Sequence, residues 1–541
     1  VASMSHGSSR ADQAPSRADL ALAHPVYQLL DRLEARGVFE GLLPRIRPYS
    51  ISAILALTGE ALASTEISET ESQRLLLHRN ALSHQNPTCK AVLGDGSFYQ
   101  HADSVLSVTV NPLFSQSVAA ARNQSDPDET ISQTRVGLGI SGTFHRHFSF
   151  RLQHYEGREW STIERRSRSD VRFAPLEAAQ IKGQTADFRE SRYQVGITLP
   201  WFEVDFGKES FDWGPARDGN LFLQHRGPSF LYGRLRFSHK ALTFEHILGA
   251  LRTPPDDIDH ATTTTDNEHR RTLPAPKRLV THRLELAISD RLTVGIHEAV
   301  IYGDRGFEAA YAIPVSILVG AQSYAGDTDN LAIGFDVSYR LGRDTLIYGS
   351  LFFDDLAKFS PGAFSNQIGV QAGIFWVNPL GLKDVDVRAE YARLEPYTYA
   401  HNFSINSFTH FDANLGHPIG PNADRASLQV QTWLTGSIKS WTSLARSRQG
   451  ENYEINGELV NVGGDPTLGR RPTDEATRTF LSGDRITRDQ FELGFEWEAS
   501  SVIRLLVQGH YHQTHSRSAA TGQISRSISR SLNLAAKLNA F

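Results

Sequence analysis

The sequence predicts an all-β transmembrane barrel of about 18 antiparallel strands with a small N-terminal α-helical bundle at its periplasmic mouth. Three observations carry that prediction. From about residue 97 to Phe541, segment after segment alternates apolar and polar residues with a period of two. The breaks between segments alternate between tight and long. The tight ones fall near His145, at Pro200-Trp201, at His239-Lys240, at Ser289–Arg291, at Leu341–Arg343, at Asn378–Leu382, at Thr435–Ser437 and at Ala499-Ser500. Between them lie polar stretches of roughly ten to forty residues rich in Pro, Gly and Asp, the pattern of outer-membrane barrels. Third, a mean hydropathy of -0.34 and the lack of a run of 18 apolar residues exclude transmembrane helices, whereas a barrel shows lipid only every second residue of each strand.

Composition narrows the class further. The 541 residues carry a formal net charge of -5, which leaves no basic footprint for nucleic acid, and no such partner is expected. The single cysteine, Cys89, rules out an intramolecular disulfide framework and reads as a small buried hydrophobe. The chain opens at Val1 and its one methionine is Met4, which fits an exported protein without its signal peptide. Residues 1–23, rich in Ser, Ala and Arg, are expected to be disordered.

The helical unit is expected over residues 24–90. Val26, Leu29, Leu30 and Leu33 fall at i, i+3, i+4 and i+7, and Gly37 can end that helix. A second helix is predicted from Ser50 to Ala63, and a third begins at Ser68-Glu69-Thr70-Glu71, a capping box ahead of Leu75, Leu76 and Leu77. Three short amphipathic helices need a surface, and with a periplasmic N-terminus the barrel mouth supplies one. They are therefore expected to plug it.

The barrel is expected over residues 97–541. Strands are placed near 97–110, 132–143, 147–157, 190–199, 202–210, 229–238, 242–251, 279–288, 292–302, 330–340, 345–354, 366–377, 384–395, 425–434, 438–447, 488–498, 501–514 and 526–540. Leu331, Ile333, Phe335, Val337 and Tyr339 alternate with Ala332, Gly334, Asp336, Ser338 and Arg340, so one face suits lipid and the other a wet lumen. An even count returns the C-terminus to the periplasm and turns the long connections outward. The segment Ala309–Tyr324 reads as a helical or irregular insert in one of them. The terminal Phe541 falls out of phase with Leu532, Leu534, Ala536, Leu538 and Ala540.

The long connections, near 111–131, 158–189, 211–228, 252–278, 303–329, 355–365, 396–424, 448–487 and 515–525, carry the candidate site. Sugar rings offer apolar C–H faces and a rim of hydroxyls, so their sites combine aromatic platforms with planar carboxylate, amide and guanidinium groups. Asp212, Trp213, Tyr397, Tyr399, Asn422, Asp424 and Arg425 supply those types at the outer rim. Gly-Pro turns and Asp side chains also shape loops with no ligand present.

Other constellations point to architecture. His510 and His512 lie at i, i+2 with His515 beyond, and read as lumen or rim histidines before metal ligands. Asp256, Asp257, Asp259 and His260, like Asp327 and Asp329, match no EF-hand spacing. Asp386, Arg388 and Glu390 read as an ion-pair lattice on the lumen wall, not as acid/base machinery. With no G-x-S-x-G elbow and no cofactor motif, the chain is read as non-enzymatic.

Several stretches together resemble the Wzi-type capsule-assembly family of outer-membrane proteins. They are His24–Gly37 with Arg47-Pro48-Tyr49-Ser50, the Asp212-Trp213-Gly214-Pro215 turn, Tyr311-Ala312-Ile313-Pro314 before Asp329-Asn330, and Gly416–Arg425. The resemblance implies an 18-stranded barrel closed by its helical bundle, a non-catalytic lectin that binds surface or capsular polysaccharide at the extracellular face and anchors it. The longer outer connections, notably 448–487, and the displaced terminal aromatic depart from the family pattern. Two other functions fit the residues alone: a diffusion channel for sugars or small solutes through the charged lumen, and a structural partner in a cell-surface secretion complex. In the latter, the helices or loops would dock a periplasmic or cell-surface protein.

Overall fold

The computed structural model describes residues 18–83, 98–124, 127–145, 147–164, 178–256, 273–355, 366–475, 477, 479–500 and 502–539. Eighteen strands, from Leu106–Asn123 to Ile524–Leu538, close into a barrel in which each is antiparallel to its neighbours, and the last pairs back on the first through Leu534 and Val118. Two short extra strands, Tyr99–Ala102 and Ala178–Lys182, add to the ladder. The period of two sets the wall as expected. In the strand Asn330–Arg340, Phe335 and Val337 are exposed while Asp336, Ser338 and Arg340 are buried in the lumen. Cys89 and Phe541 lie outside the described residues, as do Asp257, Asp259 and His260.

Three expectations are corrected. The first wall strand is not 97–110 but Leu106–Asn123, and it runs through Asn111-Pro112. Pro112 is tolerated because its carbonyl accepts from Asn539 Nδ2 at 3.0 Å, so its missing N–H points to the same edge, just beyond the last ladder pair, Phe114 with Leu538. Several strands outgrow the bilayer-length estimate, among them Leu273–Ser289, Ile438–Glu451 and Asp484–Glu498, so the wall rises past the roughly 9–11 residues needed to cross a membrane. The long-loop end therefore has short connections too: 111–131 shrinks to 124–128 and 515–525 to 518–523. Finally, Ala18–Ala23, expected to be disordered, is folded into the lumen, where Asp19 pairs with Arg234 at 2.7 Å.

Helices α1 (Val26–Arg36), α2 (Ile51–Ala63) and α3 (Glu69–Ser83) form as their local signals dictate. Gly37 ends α1 in the left-handed region at φ 75°, its N–H bonding to the Glu34 carbonyl. Ser50 Oγ accepts from Ala53 N at the start of α2. At the start of α3, Ser68 Oγ accepts from Glu71 N at 3.2 Å and Glu71 Oε2 accepts from Ser68 N at 2.8 Å, the reciprocal capping box. Leu29, Leu30, Leu33, Ile54, Leu55 and Leu75 meet in one buried cluster. The insert in the 303–329 connection is helical, as read, over Ala309–Ala312 and Leu318–Ala325.

Ion pairs fix the bundle to the tight-turn end of the wall. Arg32 on α1 bonds Glu71 at 2.7 Å, Asp386 of the wall, and Asn378 Oδ1 at 2.8 Å in a tight turn. Arg45 grips Glu34 with two bonds of 2.7 and 2.8 Å and donates to Ser338 of the wall at 3.1 Å. Its backbone N–H donates to Glu285 at 3.0 Å. Fully buried charges of this kind persist only when paired; removing one partner costs about 3–5 kcal/mol. The expected Asp386–Glu390 lattice is present, and the helical segment is part of it.

Candidate functional site

The third long connection, between strands Phe202–Glu209 and Phe230–His239, folds into the lumen instead of standing above it. Asp212 and Trp213 are extended because they pair with Arg47 and Ile46 of the N-terminal segment, as a two-stranded ribbon inside the barrel. Gly214 at φ 129° makes the next turn, and a Cβ there would lie 2.4 Å from Asn220 Oδ1. Asn220 closes that turn, accepting from Ala216 N at 3.0 Å and donating to Asp212 at 2.7 Å. Trp213 is 1% exposed, lies beside Phe222 and donates from Nε1 to Glu245 at 2.9 Å.

The connection after strand Val385–Leu394 folds down onto this one. Tyr399, fully buried, donates to the Leu221 carbonyl at 2.6 Å and accepts from His417 N at 2.9 Å. Tyr397 is buried against Gly463 of the next connection and donates to the Asn461 carbonyl at 3.0 Å. Asn422 donates to the carbonyls of Gly450 and Ser482 and accepts from Leu481 N, so its amide is spent on the loop framework. Asp424 and Arg425 are neighbours on one strand and therefore face opposite ways. Asp424, on the outward side with exposed Leu428 and Val430, binds Arg448 at 2.5 and 3.0 Å and accepts from Tyr391 at 3.2 Å.

Arg425 points into the lumen and joins these two inward-folded connections, which together cap the lumen, to the wall. It bonds Asp218 of the third connection at 2.5 Å and Gln490 at 2.8 Å, and its side chain is 18% exposed. Burial pushes the Asp218 carboxyl up, but Arg425, Arg226 and His417 outweigh it and hold the group below the ordinary carboxylate range. His417 beside them is held neutral: burial, with Arg226 and Arg425 against the opposing Asp218, lowers its pKa to about 3.

Of the seven residues singled out in the sequence, then, the structure brings only Arg425 to a partly open lumen surface. Trp213, Tyr397 and Tyr399 lie inside the packing and offer no ring face to a ligand, because each ring is needed to close a gap between connections. Asp212 and Asn422 are spent on turns, and Asp424 is on the other side of the wall.

The lumen is filled unevenly. Along one side, inward-facing Asp205, Arg234, Glu245, Arg283, Asp336, Gln371 and Glu390 are all buried under the helical segment and the cap. Across from them, inward-facing Gln490, Glu492, Gln508, His510, His512 and Asn533 remain partly exposed. Nearer the tight turns on this second side, Thr143, Ser149, Arg151, Glu498 and Arg504 are again buried. Among the described residues this leaves a polar vestibule with a closed floor, lined by guanidinium, amide, imidazole and carboxylate groups. Within it Glu492 accepts from Trp441 Nε1 at 2.7 Å and from Gln508 at 3.2 Å, and Asn533 donates to Gln508 at 3.3 Å. Sequence reasoning leaves Asp218, Gln490, Glu492 and Gln508 out of the candidate site and reads His510 and His512 as lumen or rim histidines without a ligand role. For the strand residues the usable signal is phase: Gln490, Glu492, Gln508, His510 and His512 alternate with the lipid-facing Phe491, Leu493, Leu505 and Val507. Among the described residues no group of three His, Cys, Asp or Glu is placed to hold a metal ion.

A closed 18-stranded wall with an apolar outside, a charged lumen and a lumen filled by the chain's own N-terminal segment defines an occluded outer-membrane β-barrel. The family model for capsule assembly protein Wzi matches residues 114–515, and the chain belongs to that family. Among solved structures it is similar to Wzi of Escherichia coli, described as an outer-membrane protein involved in group 1 capsule assembly and a carbohydrate-binding β-barrel. That likeness has a TM-score of 0.56 at 15% identity and covers 95% of this chain and 99% of that one. OccK5 (OpdH) and OprD of Pseudomonas aeruginosa each give a TM-score of 0.42 at 10% identity, with 79% and 80% of this chain covered and 98% and 93% of theirs. No curated protein sequence matches the chain.

Proposed function

We propose that this protein is a non-catalytic outer-membrane lectin that holds surface or capsular polysaccharide at its long-loop end, with those loops extracellular and both termini periplasmic. The observation that carries the reading is the vestibule: a polar recess with a closed floor, edged by the Arg425–Asp218–Gln490 junction. Its planar donors and acceptors suit sugar hydroxyls, and its floor opposes passage. The similarity to a carbohydrate-binding barrel supports the same ligand class. In this reading Arg425, Gln490, Glu492 and His512 meet the glycan. Asp212, Trp213, Tyr397, Tyr399 and Asn422 hold the connections that shape the recess, and Asp424 braces the wall behind Arg425.

The test is binding of the detergent-solubilised protein to polysaccharide extracted from its own source cells, paired with conductance in a planar bilayer. Saturable binding with a closed barrel is the expected result. Steady conductance without binding would replace the lectin by a diffusion channel.

A further inference from the structure

The outer face of the wall carries a groove that the vestibule does not involve. Lys208, Leu231, Ala250, Arg278 and Tyr302 are successive cross-strand partners. All lie on the outward face: Leu231 alternates with lumen-facing Tyr232, and Arg278 stands between lumen-facing Lys277 and Leu279. The next outward row towards the tight turns is wholly without polar side chains: Val195, Phe206, Gly233, Leu248, Val280 and Val300. A row that holds two cations and a tyrosine thus sits directly above an apolar row.

The 303–329 connection folds back over this part of the wall. Tyr311 and Leu318 pack with Val280, Val300 and Tyr302, and Leu318 N donates to outward-facing Glu298 at 2.9 Å. Glu298 also bonds His282 at 3.2 Å, so the insert covers a polar pair that would otherwise meet acyl chains. Phe307 closes one side of a groove of about 340 Å³ whose lining includes Val195, Phe206, Leu231, Leu248 and Arg278. The insert leaves Phe307 63%, Ile317 70% and Val315 87% exposed. Side chains of that kind suit contact with lipid, and the patch is continuous with the membrane-facing wall.

Arg278 is the unusual member. It is half-buried, and its Nε has no hydrogen-bond partner among the described residues. A cation on the lipid face costs about 2–4 kcal/mol at mid-bilayer and about 0–1 near the interface. The stretch from Arg278 to Ser289 at the tight turn is about the 9–11 residues that cross a membrane, which puts Arg278 at headgroup level. An anionic headgroup would give its guanidinium acceptors that the described residues do not give its Nε.

We propose that this groove binds one phosphate-bearing, multiply acylated lipid of the leaflet on the long-loop side. Its chains lie along Val195, Phe206, Leu248 and Phe307, a phosphate meets Arg278, and Lys208 on the same row faces the rest of the headgroup. The proposal rests on the orientation given above and not on the glycan site.

The probe is bis-phosphorylated lipid A, titrated into the whole protein in zwitterionic detergent and followed by native mass spectrometry, with dephosphorylated lipid A alongside. One retained lipid per chain is expected, bound roughly tenfold tighter than the dephosphorylated probe, the scale of a charge-assisted hydrogen bond. Arg278→Glu should erase that difference, and Phe307→Ser on the exposed insert should weaken both probes. Heat-modifiable migration reports folding; if Arg278→Glu fails to fold, Arg278→Gln takes its place. Equal affinity for the two probes, or a difference that survives loss of the Arg278 charge, would overturn the site. Polysaccharide binding by the same variants is expected to be unchanged, which separates failure here from failure of the lectin reading.

Discussion

Ile46 and Trp213 are antiparallel strand partners in a ribbon that runs inside the barrel, not in its wall. One belongs to the segment between α1 and α2, the other to the third long connection. Material entering from the tight-turn end and material entering from the long-loop end therefore share backbone pairing in mid-lumen. A plug merely resting in the mouth would lack that pairing. With Arg45 gripping Glu34 beside the ribbon, occlusion becomes part of the fold.

Arg45→Ala tests the occlusion. It leaves Glu34, fully buried, without its bidentate partner and should loosen the helical segment by about 3–5 kcal/mol. Planar-bilayer recordings are expected to show no steady current for the unaltered protein and intermittent steps for the variant. An equally silent and equally stable variant would mean the ion pair does not hold the segment.

Trp213→Phe separates framework from ligand contact. It removes the indole donor from Glu245, which keeps Arg236 at 2.6 Å, so a loss of about 1–3 kcal/mol is expected in denaturant unfolding. Polysaccharide affinity should stay the same. A large loss of affinity with unchanged stability would restore Trp213 as a sugar platform.

The cap should loosen in acid. His417 accepts from Ile419 N through Nδ1 at 3.3 Å, and His410 accepts from Arg252 N through Nδ1 at 3.0 Å, so both need a neutral ring. Burial lowers both to about 3 from an ordinary 6.5, with Asp218 opposing and Arg226 and Arg425 reinforcing at His417, and with the hydrogen bond to the Ser229 backbone opposing and Lys277, Lys208 and Arg252 reinforcing at His410. A folded-state pKa below the unfolded one means that protons favour the unfolded cap. The contribution is complete above about pH 6.5 and is lost progressively as pH falls towards 3. Hydrogen exchange of residues 408–420, corrected for intrinsic rates, should be faster at pH 5 than at pH 7.5, and equal protection would refute this.

Gly219→Ala tests the contact between the two connections. Gly219 sits at φ 141°, and an added Cβ would meet Pro418 Cδ at 2.6 Å. Pushing them apart also draws Asp218 from Arg425. Weaker polysaccharide binding with unchanged heat-modifiability of the barrel is expected; unchanged binding would detach the cap from the site.

Much of this architecture is legible in the residues because it is local. Alternation in Asn330–Arg340, the Ser68–Glu71 capping box and Gly37 each report a neighbouring backbone, and each is found as read. The first strand was displaced because Pro112 reads as a break unless the neighbouring strand's end is known. The site was less legible because depth is not local. Trp213 and Tyr399 look like rim aromatics until Ile46 and Leu221, far away in sequence, bury them. Asp424 and Arg425 both suit a sugar site, but the strand phase sends only Arg425 inward.

The most direct measurement is the affinity of the Arg425→Ala, Gln490→Ala double variant for the source-cell polysaccharide, against that of the unaltered protein. The account predicts at least a roughly tenfold loss, the scale of one or two hydrogen bonds to charged groups, in a barrel that still folds. Undiminished affinity in a folded double variant would contradict the vestibule as the place where glycan is held.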